Sequence, residues 1–249
     1  MRVRPSLLLV ATALAAFFAA QTALGSPGAA DGGALEEFEP AVAVAKPTPP
    51  RPQGHLLAEL SGGVPYSLQP GGAAAGSVAG MTEFGSRQVL SVAARRGAWL
   101  AVVTSALPNN QLAWVKRSAV RLRSTRWTLR ADLSEHTLTL LRGHRAVRRI
   151  DVAIGRAGSE TPTGRFAVTD KLAGTSYGPY YGCCILALSA HQPATPPGWT
   201  GGNRIAIHGT DSPATIGTAA SAGCLRAADA DLRALMYRVP VGTPVFISA

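Results

Sequence analysis

The chain has 249 residues, 47% of them hydrophobic and 15% charged, and a formal net charge of +10 at neutral pH. This length suffices for one large or two small domains. The positive charge is spread along the chain without a basic run, so the clustered arm or stripe typical of a nucleic-acid-binding protein is not indicated and we expect no nucleic-acid partner.

Residues 1–25 have the pattern of a secretory signal peptide and are not expected to be part of the fold. Two early arginines form a basic start, an apolar run covers residues 7–20, and the small residues 23–25 resemble a cleavage site. An uncleaved membrane anchor is the alternative, because residues 6–25 are just long enough to span a bilayer when tilted. Both interpretations predict that the protein is exported. The positive charge of an exported protein then has two equally good explanations: it binds anionic wall polymers or lipid head groups, or it only reflects an arginine-rich composition.

Residues 26–54 are rich in alanine, glycine and proline and end in the run Lys46–Pro52, which holds four prolines among seven residues. Such a composition cannot bury a core. It predicts an extended linker with polyproline character that holds the rest of the chain away from the membrane.

Residues 55–125 contain short apolar runs typical of β-strands, separated by glycine and Pro-Asn turns. The clearest are Val89–Val92, Trp99–Val103 and Ala113–Val115. Together with the end of this region they resemble bacterial SH3-like modules, and the resemblance implies a small β-barrel. We expect Trp99 and Trp114 in its core, and no binding site is indicated.

From residue 126 onward the pattern is again mainly β. Alternation between apolar and polar residues over 136–142 turns at Gly143-His144 and resumes over 147–154. Further strands are predicted at Arg165–Thr169, Ile185–Leu188, Arg204–Ile207 and Val245–Ile247.

One helix is predicted near the C-terminus. Leu232, Leu235, Met236 and Val239 follow helical spacing, and Asp229 lies near the expected start. Because this helix would begin just after Cys224, we expect its N-terminal partial charge to favour the Cys224 thiolate.

The chain has three cysteines, Cys183, Cys184 and Cys224. A disulfide-stapled secreted domain has more, in even number. Adjacent cysteines rarely pair because the ring is strained, so the odd count predicts that Cys224 is a free thiol. A bridge from Cys224 to Cys183 or Cys184 stays open as an inactivating alternative.

His208, Cys224 and Arg226 supply the groups that a thiol acyl-transfer enzyme needs. A thiolate attacks, an imidazole takes and returns the proton, and a cation lowers the thiol pKa or holds a carboxylate. A metal site is disfavoured, since His191, His208 and the cysteines form no close-spaced ligand pair; we predict neither metal nor cofactor.

These residues stand in an ordered set of motifs. The set is similar to the L,D-transpeptidase (YkuD-type) catalytic domain family and comprises His208-Gly209-Thr210-Asp211, Ser221-Ala222-Gly223-Cys224-Leu225-Arg226, Thr161-Pro162-Thr163-Gly164 with Phe166, and Val239–Val245. Many members of the family have histidine at the position of Ala222. Its absence here leaves His208 as the sole histidine of the motif. The resemblance covers residues 126–249 and implies a β-sandwich or mixed sheet with a short C-terminal helix.

The resemblance implies a role for each motif residue. Cys224 is expected to be the nucleophile, His208 the general base and acid, and the Gly209 carbonyl the group that orients the imidazole. Arg226 would bind the donor carboxylate or favour the thiolate. The other supporting residues are Ser221 and Gly223, which shape the loop, Thr210 within the motif, and Tyr181, which with Tyr177, Tyr180 and Trp199 forms either a lid or ordinary packing.

The predicted function is that of an exported L,D-transpeptidase of the cell wall or periplasmic space, which crosslinks peptidoglycan stem peptides. Carbapenem-type β-lactams are the expected inhibitors. An L,D-carboxypeptidase, in which water replaces the acceptor amine, and a non-catalytic wall-binding protein remain alternatives. Sortases use the same three residue types, but the close spacing of histidine and cysteine fits them less well.

Overall fold

A computed structural model describes residues 54–249 except 196, 199 and 201. The predicted signal peptide, and the predicted linker up to residue 53, lie outside the described residues. In the part that is described, no helix combines the length and the apolar character needed to cross a membrane.

The first half of the described chain forms an antiparallel sheet of five strands in the order β6-β5-β4-β1-β7. Two further strands, β2 and β3, form a hairpin beside it. The strands are β1 (His55–Glu59), β2 (Val64–Tyr66), β3 (Gly76–Val78), β4 (Val89–Arg96), β5 (Trp99–Val103), β6 (Ala113–Lys116) and β7 (Arg121–Thr125). The three strands predicted from apolar runs are confirmed, whereas the SH3-like assignment stays a prediction.

Trp99 and Trp114 do not lie in the core, contrary to our expectation. Leu100 and Val115, their neighbours on β5 and β6, are fully buried in the core of this sheet. Because side chains alternate across a strand, both tryptophans face the other side, where they are half-buried. Lys116 lies 5.9 Å from the centre of the Trp99 ring on that side.

The second half forms a sheet of eight strands in the order β10-β9-β8-β17-β12-β13-β14-β16. It is mixed, because β17 runs parallel to β8 and β14 parallel to β16. The elements are β8 (Trp127–Asp132), β9 (Thr137–Arg142), β10 (Arg145–Asp151), β11 (Ile154–Gly155), β12 (Gly164–Ala173), β13 (Cys184–His191), β14 (Arg204–His208), β15 (Ala219–Ser221), β16 (Leu225–Arg226), the helix α1 (Asp229–Arg238) and β17 (Pro244–Ser248). The mainly β class with a mixed sheet and one short C-terminal helix is confirmed.

The helix packs on the second sheet through the residues that predicted it. Leu232 and Leu235 are buried against a core that includes Leu186, Ile207 and Leu225. The first turn carries Asp229 and Asp231, whose charges suit the positive end of the helix. The helical spacing in the sequence therefore predicted the amphipathic helix correctly.

Cys183 and Cys184 form a disulfide, with their Cα atoms 3.7 Å apart, so the prediction that adjacent cysteines stay unpaired is wrong. The pair lies where a 3-10 turn meets β13, after Gly182 with a φ of 57°. At this junction Cys183 precedes the strand, and its N–H is held by the Asp229 carboxylate at 3.0 Å. Cys224 is free, as predicted.

Polar contacts join loops of the first sheet to the second. The Asn109 side chain accepts from the His191 N–H at 2.8 Å and donates to the His191 carbonyl at 2.7 Å. The Arg165 guanidinium donates to the carbonyls of Val92 and Ala93. His191 at the end of β13 is thereby held by the loop between β5 and β6.

Candidate active site

The parallel pairing of β14 with β16 brings the two reactive residues together. Ile207 lies opposite Leu225, and both side chains are buried in the core. The alternate residues, His208 on β14 and Cys224 and Arg226 at β16, therefore share the opposite face. There Cys224 and Ala206 line one cavity, and the backbone of Ala206 is hydrogen-bonded to the thiol.

His208 is held in the tautomer that a general base requires. Its ring is fully buried, and Nδ1 lies 2.6 Å from the Gly209 carbonyl oxygen. Because a carbonyl only accepts, Nδ1 carries the proton and Nε2 keeps its lone pair. Nε2 has no hydrogen-bond partner among the described residues. The Gly209 carbonyl thus occupies the orienting position that was predicted for it.

Two tyrosines enclose the imidazole. The ring centres of Tyr181 and Tyr180 lie 4.9 and 5.5 Å from that of His208. Tyr177 contacts Tyr181 edge-on at 6.3 Å. All three tyrosines line the cavity of Cys224, so they pack together and border the site at the same time. Trp199, the fourth aromatic residue considered for a lid, lies outside the described residues.

Burial keeps the histidine and the cysteine uncharged at rest. It lowers the pKa of the His208 imidazole to about 4, although the hydrogen bond to Gly209 acts in the opposite direction. It raises the pKa of the Cys224 thiol to about 11, against the hydrogen bond from Ala206 and the charge of Arg226. At neutral pH the resting pair is therefore a thiol and a neutral imidazole.

The sequence suggested that the helix N-terminus favours the Cys224 thiolate, and this effect stays a prediction. The helix begins at Asp229, and β16 lies between it and the thiol. The carboxylate of Asp229 accepts the N–H of Cys183 in front of the first turn.

Ser221 closes the turn that presents the thiol. Its hydroxyl donates to the Cys224 carbonyl at 2.6 Å and accepts from the Gly223 N–H at 3.0 Å. Gly223 has a φ of +119°, a conformation that favours glycine. Because Ser221 holds the Gly223 N–H, this donor is not available to an oxyanion. Thr210, by contrast, accepts from the Ser212 N–H in its own turn.

Two residues without an assigned chemical role hold the same loop. The Thr161 hydroxyl donates to the Gly223 carbonyl at 2.8 Å and accepts the Gly155 N–H at 2.9 Å. The Gln192 side-chain nitrogen lies 3.0–3.2 Å from three backbone carbonyl oxygens, those of Ser159, Glu160 and Ala222. The Thr-Pro-Thr-Gly motif marked Thr161 only as part of a turn, and no sequence pattern marked Gln192.

Arg226 is a buried cation next to the thiol. Only 5% of the residue is exposed, and its Nε has no hydrogen-bond partner among the described residues. Its guanidinium lies 5.7 Å from the centre of the Tyr180 ring. A second, polar cavity beside it is lined by Arg156, Tyr180 and Ala222. A buried guanidinium nitrogen without a partner is costly, and Nε of Arg226 has none among the described residues, so this side of the site suits an anionic group.

The cavity of Cys224 has a volume of about 160 Å³. We call it the thiol cavity. Its lining includes Gln192, Ala222 and the three tyrosines, and also Phe84, which comes from the first sheet and was not predicted. Among the described residues no group of three or more histidine, cysteine or acidic side chains is placed to hold a metal ion. The chemistry available here is that of a thiol beside a neutral base and a cation.

A cysteine and a neutral imidazole on adjacent strands of a mixed sheet are an arrangement typical of cysteine-dependent acyl transfer. Residues 126–247 match the family model of the YkuD L,D-transpeptidase catalytic domain. The family resemblance read from the sequence is confirmed for this segment.

Two curated relatives each match about half of the chain. YkuD of Bacillus subtilis, which carries the name of an L,D-transpeptidase, is 33% identical over 119 residues, 47% of this chain and 63% of the relative. YkuD of Bacillus licheniformis is 31% identical over 124 residues, 49% of this chain and 66% of the relative. The chain thus spans slightly less than two thirds of the length of these relatives. Among solved structures, an L,D-transpeptidase from Mycobacterium smegmatis is 19% identical with a TM-score of 0.42, covering 64% of this chain and 82% of that one.

Proposed function

We propose that this protein is an exported L,D-transpeptidase that crosslinks peptidoglycan stem peptides through a thioester on Cys224. The observation that carries the proposal is the state of His208 Nε2, which has no hydrogen-bond partner among the described residues. Gly209 orients the His208 ring, and His208 lies on the same face of the sheet as Cys224. The family match over residues 126–247 supports the same chemistry.

The first half of the reaction forms the acyl-enzyme. Cys224 Sγ attacks the carbonyl carbon of the bond before the terminal D-amino acid, and the thiol proton passes to His208 Nε2. Collapse of the tetrahedral intermediate breaks the C–N bond. His208 returns the proton to the leaving amine, and the D-amino acid departs.

The second half transfers the acyl group. The side-chain amine of a neighbouring stem peptide attacks the thioester carbon and gives a proton to His208. The C–S bond breaks and His208 returns this proton to the sulfur. The neutral resting pair suits this sequence, because the same imidazole must accept and return a proton in each half.

Arg226 supplies the recognition that the donor needs. Its buried guanidinium has an unpartnered Nε beside the thiol. The terminal residue of a stem peptide carries a carboxylate close to the bond that breaks. A charge-assisted hydrogen bond from Arg226 to that carboxylate would offset the cost of burying both groups.

A carbapenem tests the nucleophile directly. Incubation of the wild-type protein with a carbapenem should add one drug mass, and peptide mapping should place it on Cys224. The variant Cys224→Ala should gain no mass and should lose crosslinking activity, with a melting temperature within a few degrees of wild type. Labelling at any other residue would contradict the proposed role.

Disaccharide–tetrapeptide tests the reaction. A crosslinked dimer with release of the terminal D-amino acid is the expected product. Tripeptide without dimer would instead identify an L,D-carboxypeptidase, since the same residues serve both outcomes. Absence of both products would leave a wall-binding protein as the better description.

A further inference from the structure

The loop Met81–Arg87 of the first sheet, called here the Phe84 loop, is a closed turn. Met81 and Arg87 form an antiparallel bridge at its base. The Thr82 N–H donates to the Ser86 carbonyl at 2.8 Å, and the Thr82 hydroxyl accepts from the Ser86 N–H at 3.0 Å. The tip of the loop, Glu83-Phe84, therefore has a defined place.

The second sheet holds this loop at two points. The Thr82 hydroxyl donates to the Asp170 carboxylate at 2.5 Å, and Glu83 forms an ion pair with Arg204. Arg204 is itself anchored, because its guanidinium donates to the Leu188 carbonyl and to the Thr169 hydroxyl. The loop is thus bonded to two strands, to β12 through Asp170 and to β14 through Arg204, and Arg204 is in turn bonded to β13.

This attachment brings Phe84 into the thiol cavity. Phe84 lines the cavity together with Cys224. Its ring meets Tyr177 edge-on with the centres 6.4 Å apart, and the Arg204 guanidinium lies 5.8 Å from its centre. Phe84 is half-buried, so part of its ring is free to contact a ligand.

The two cations at the site differ in what they offer a ligand. Arg204 is neutralised by Glu83 and lies against the Phe84 ring. Arg226 has no such anion partner among the described residues. The thiol cavity is also lined by Leu172, Tyr177 and Ile185, and the Tyr177 ring contacts Phe84, so the lining near Phe84 favours an apolar group. A donor peptide would therefore place its carboxylate toward Arg226 and an apolar side chain toward Phe84.

We propose that Phe84 is a specificity-determining residue of the Cys224 site, where it contacts an apolar side chain next to the bond that breaks in the donor peptide. This inference rests on the proposed function. It also makes the N-terminal sheet a part of the substrate site. Burial of a small apolar group against an aromatic ring contributes about one factor of ten in binding.

The test compares Phe84→Ala with wild type on donor tetrapeptides that differ only in the terminal D-residue, D-alanine against D-leucine. Phe84→Ala should raise KM for the D-alanine donor about 5- to 10-fold with kcat within about 2-fold. It should also improve the relative use of the D-leucine donor, because the cavity is wider. Phe84→Leu, which keeps the apolar bulk, should restore most of the wild-type KM.

Met81→Ala is the matched control, since Met81 belongs to the same loop and 54% of it is exposed. We expect Met81→Ala to keep the wild-type KM and donor preference. An unchanged donor preference in Phe84→Ala, or an equal change in Met81→Ala, would overturn the inference while leaving the proposed function intact. Failure of the wild-type protein to act on any tetrapeptide would overturn the proposed function together with it.

Discussion

At the scale of the residue, His208 combines burial, which the sequence could not specify, with an orienting contact to Gly209 that the family resemblance implied. The imidazole is fully buried, and its Nδ1 is tied to Gly209. The first property keeps it neutral, and the second keeps Nε2 available. Ala222 leaves this histidine without a second one in the motif, so both properties have to be provided by the fold.

Burial of neutral His208 predicts that the protein loses stability in weak acid. The folded pKa of about 4 lies below the ordinary value of 6.5, so the unfolded chain binds a proton first as the pH falls. The contribution is full above pH 6.5 and is lost between 6.5 and 4, by about 3 kcal/mol in the free energy of unfolding. Urea titrations across this range measure it.

The variant His208→Gln provides the reference for that measurement. It cannot take up the proton, so the difference in unfolding free energy between wild type and His208→Gln should shrink as the pH falls from 6.5 to 4. A difference that stays constant across this range would show that another group causes the acid sensitivity.

In wild type, a neutral base also predicts that turnover persists at pH 5–6.

At the scale of the element, the loop from Ser221 to Cys224 depends on contacts from distant segments. The Thr161 hydroxyl, in the turn before β12, donates to the Gly223 carbonyl of this loop. Gln192 reaches its Ala222 carbonyl from the end of β13. The loop therefore takes its shape in part from two distant segments of the chain.

Gln192→Ala should impair catalysis through this loop. Removal of the amide leaves three buried or partly buried carbonyl oxygens without their donor and lets the Cys224 thiol move. We expect kcat to fall about 10- to 100-fold, because small misplacement of a reacting group is expensive, with KM within about 3-fold. Steady-state kinetics on the tetrapeptide measure both.

Gln111→Ala removes the same kind of side chain from an exposed position and should leave both constants unchanged. A Gln192→Ala variant that raises KM and keeps kcat would contradict the positioning role. We expect circular dichroism to show that Gln192→Ala is folded. A variant that loses its activity because it is completely unfolded would therefore also contradict the positioning role.

The elements also show where sequence reasoning succeeded. The predicted strands at Trp99–Val103 and Arg204–Ile207 were found because period-two or continuous apolar runs report burial directly. The strand β16 was missed, because two residues carry no periodicity. Its pairing with β14 is decided by the sheet, and this pairing brings Cys224 to His208.

At the scale of the whole molecule, the two sheets are connected by specific polar contacts. Asn109 satisfies both backbone groups of His191, and the His191 ring contacts the Ser105 carbonyl at 2.8 Å. His191 directly precedes Gln192. The N-terminal sheet is therefore bonded next to the residue that holds the Ser221–Cys224 loop.

Asn109→Ala should destabilise the protein by about 1–3 kcal/mol, because it leaves the His191 N–H and carbonyl without their partners. Chemical denaturation followed by fluorescence measures this loss. Gln69→Ala, which removes an exposed amide from the loop between β2 and β3, should change the unfolding free energy by less than about 0.5 kcal/mol. Equal stability of Asn109→Ala and wild type would show that the two sheets are held by other contacts.

The sequence by itself determined the mainly β class, the amphipathic helix and the ordered motifs around His208 and Cys224. These features follow from local periodicity, residue type and spacing along the chain. The tertiary structure alone decided the disulfide between Cys183 and Cys184, the neutral resting state of His208 and Cys224, the contacts of Gln192 with the Ser221–Cys224 loop and the place of Phe84 in the thiol cavity. Each of these depends on burial or on contacts between residues far apart in sequence, which the order of residues does not express.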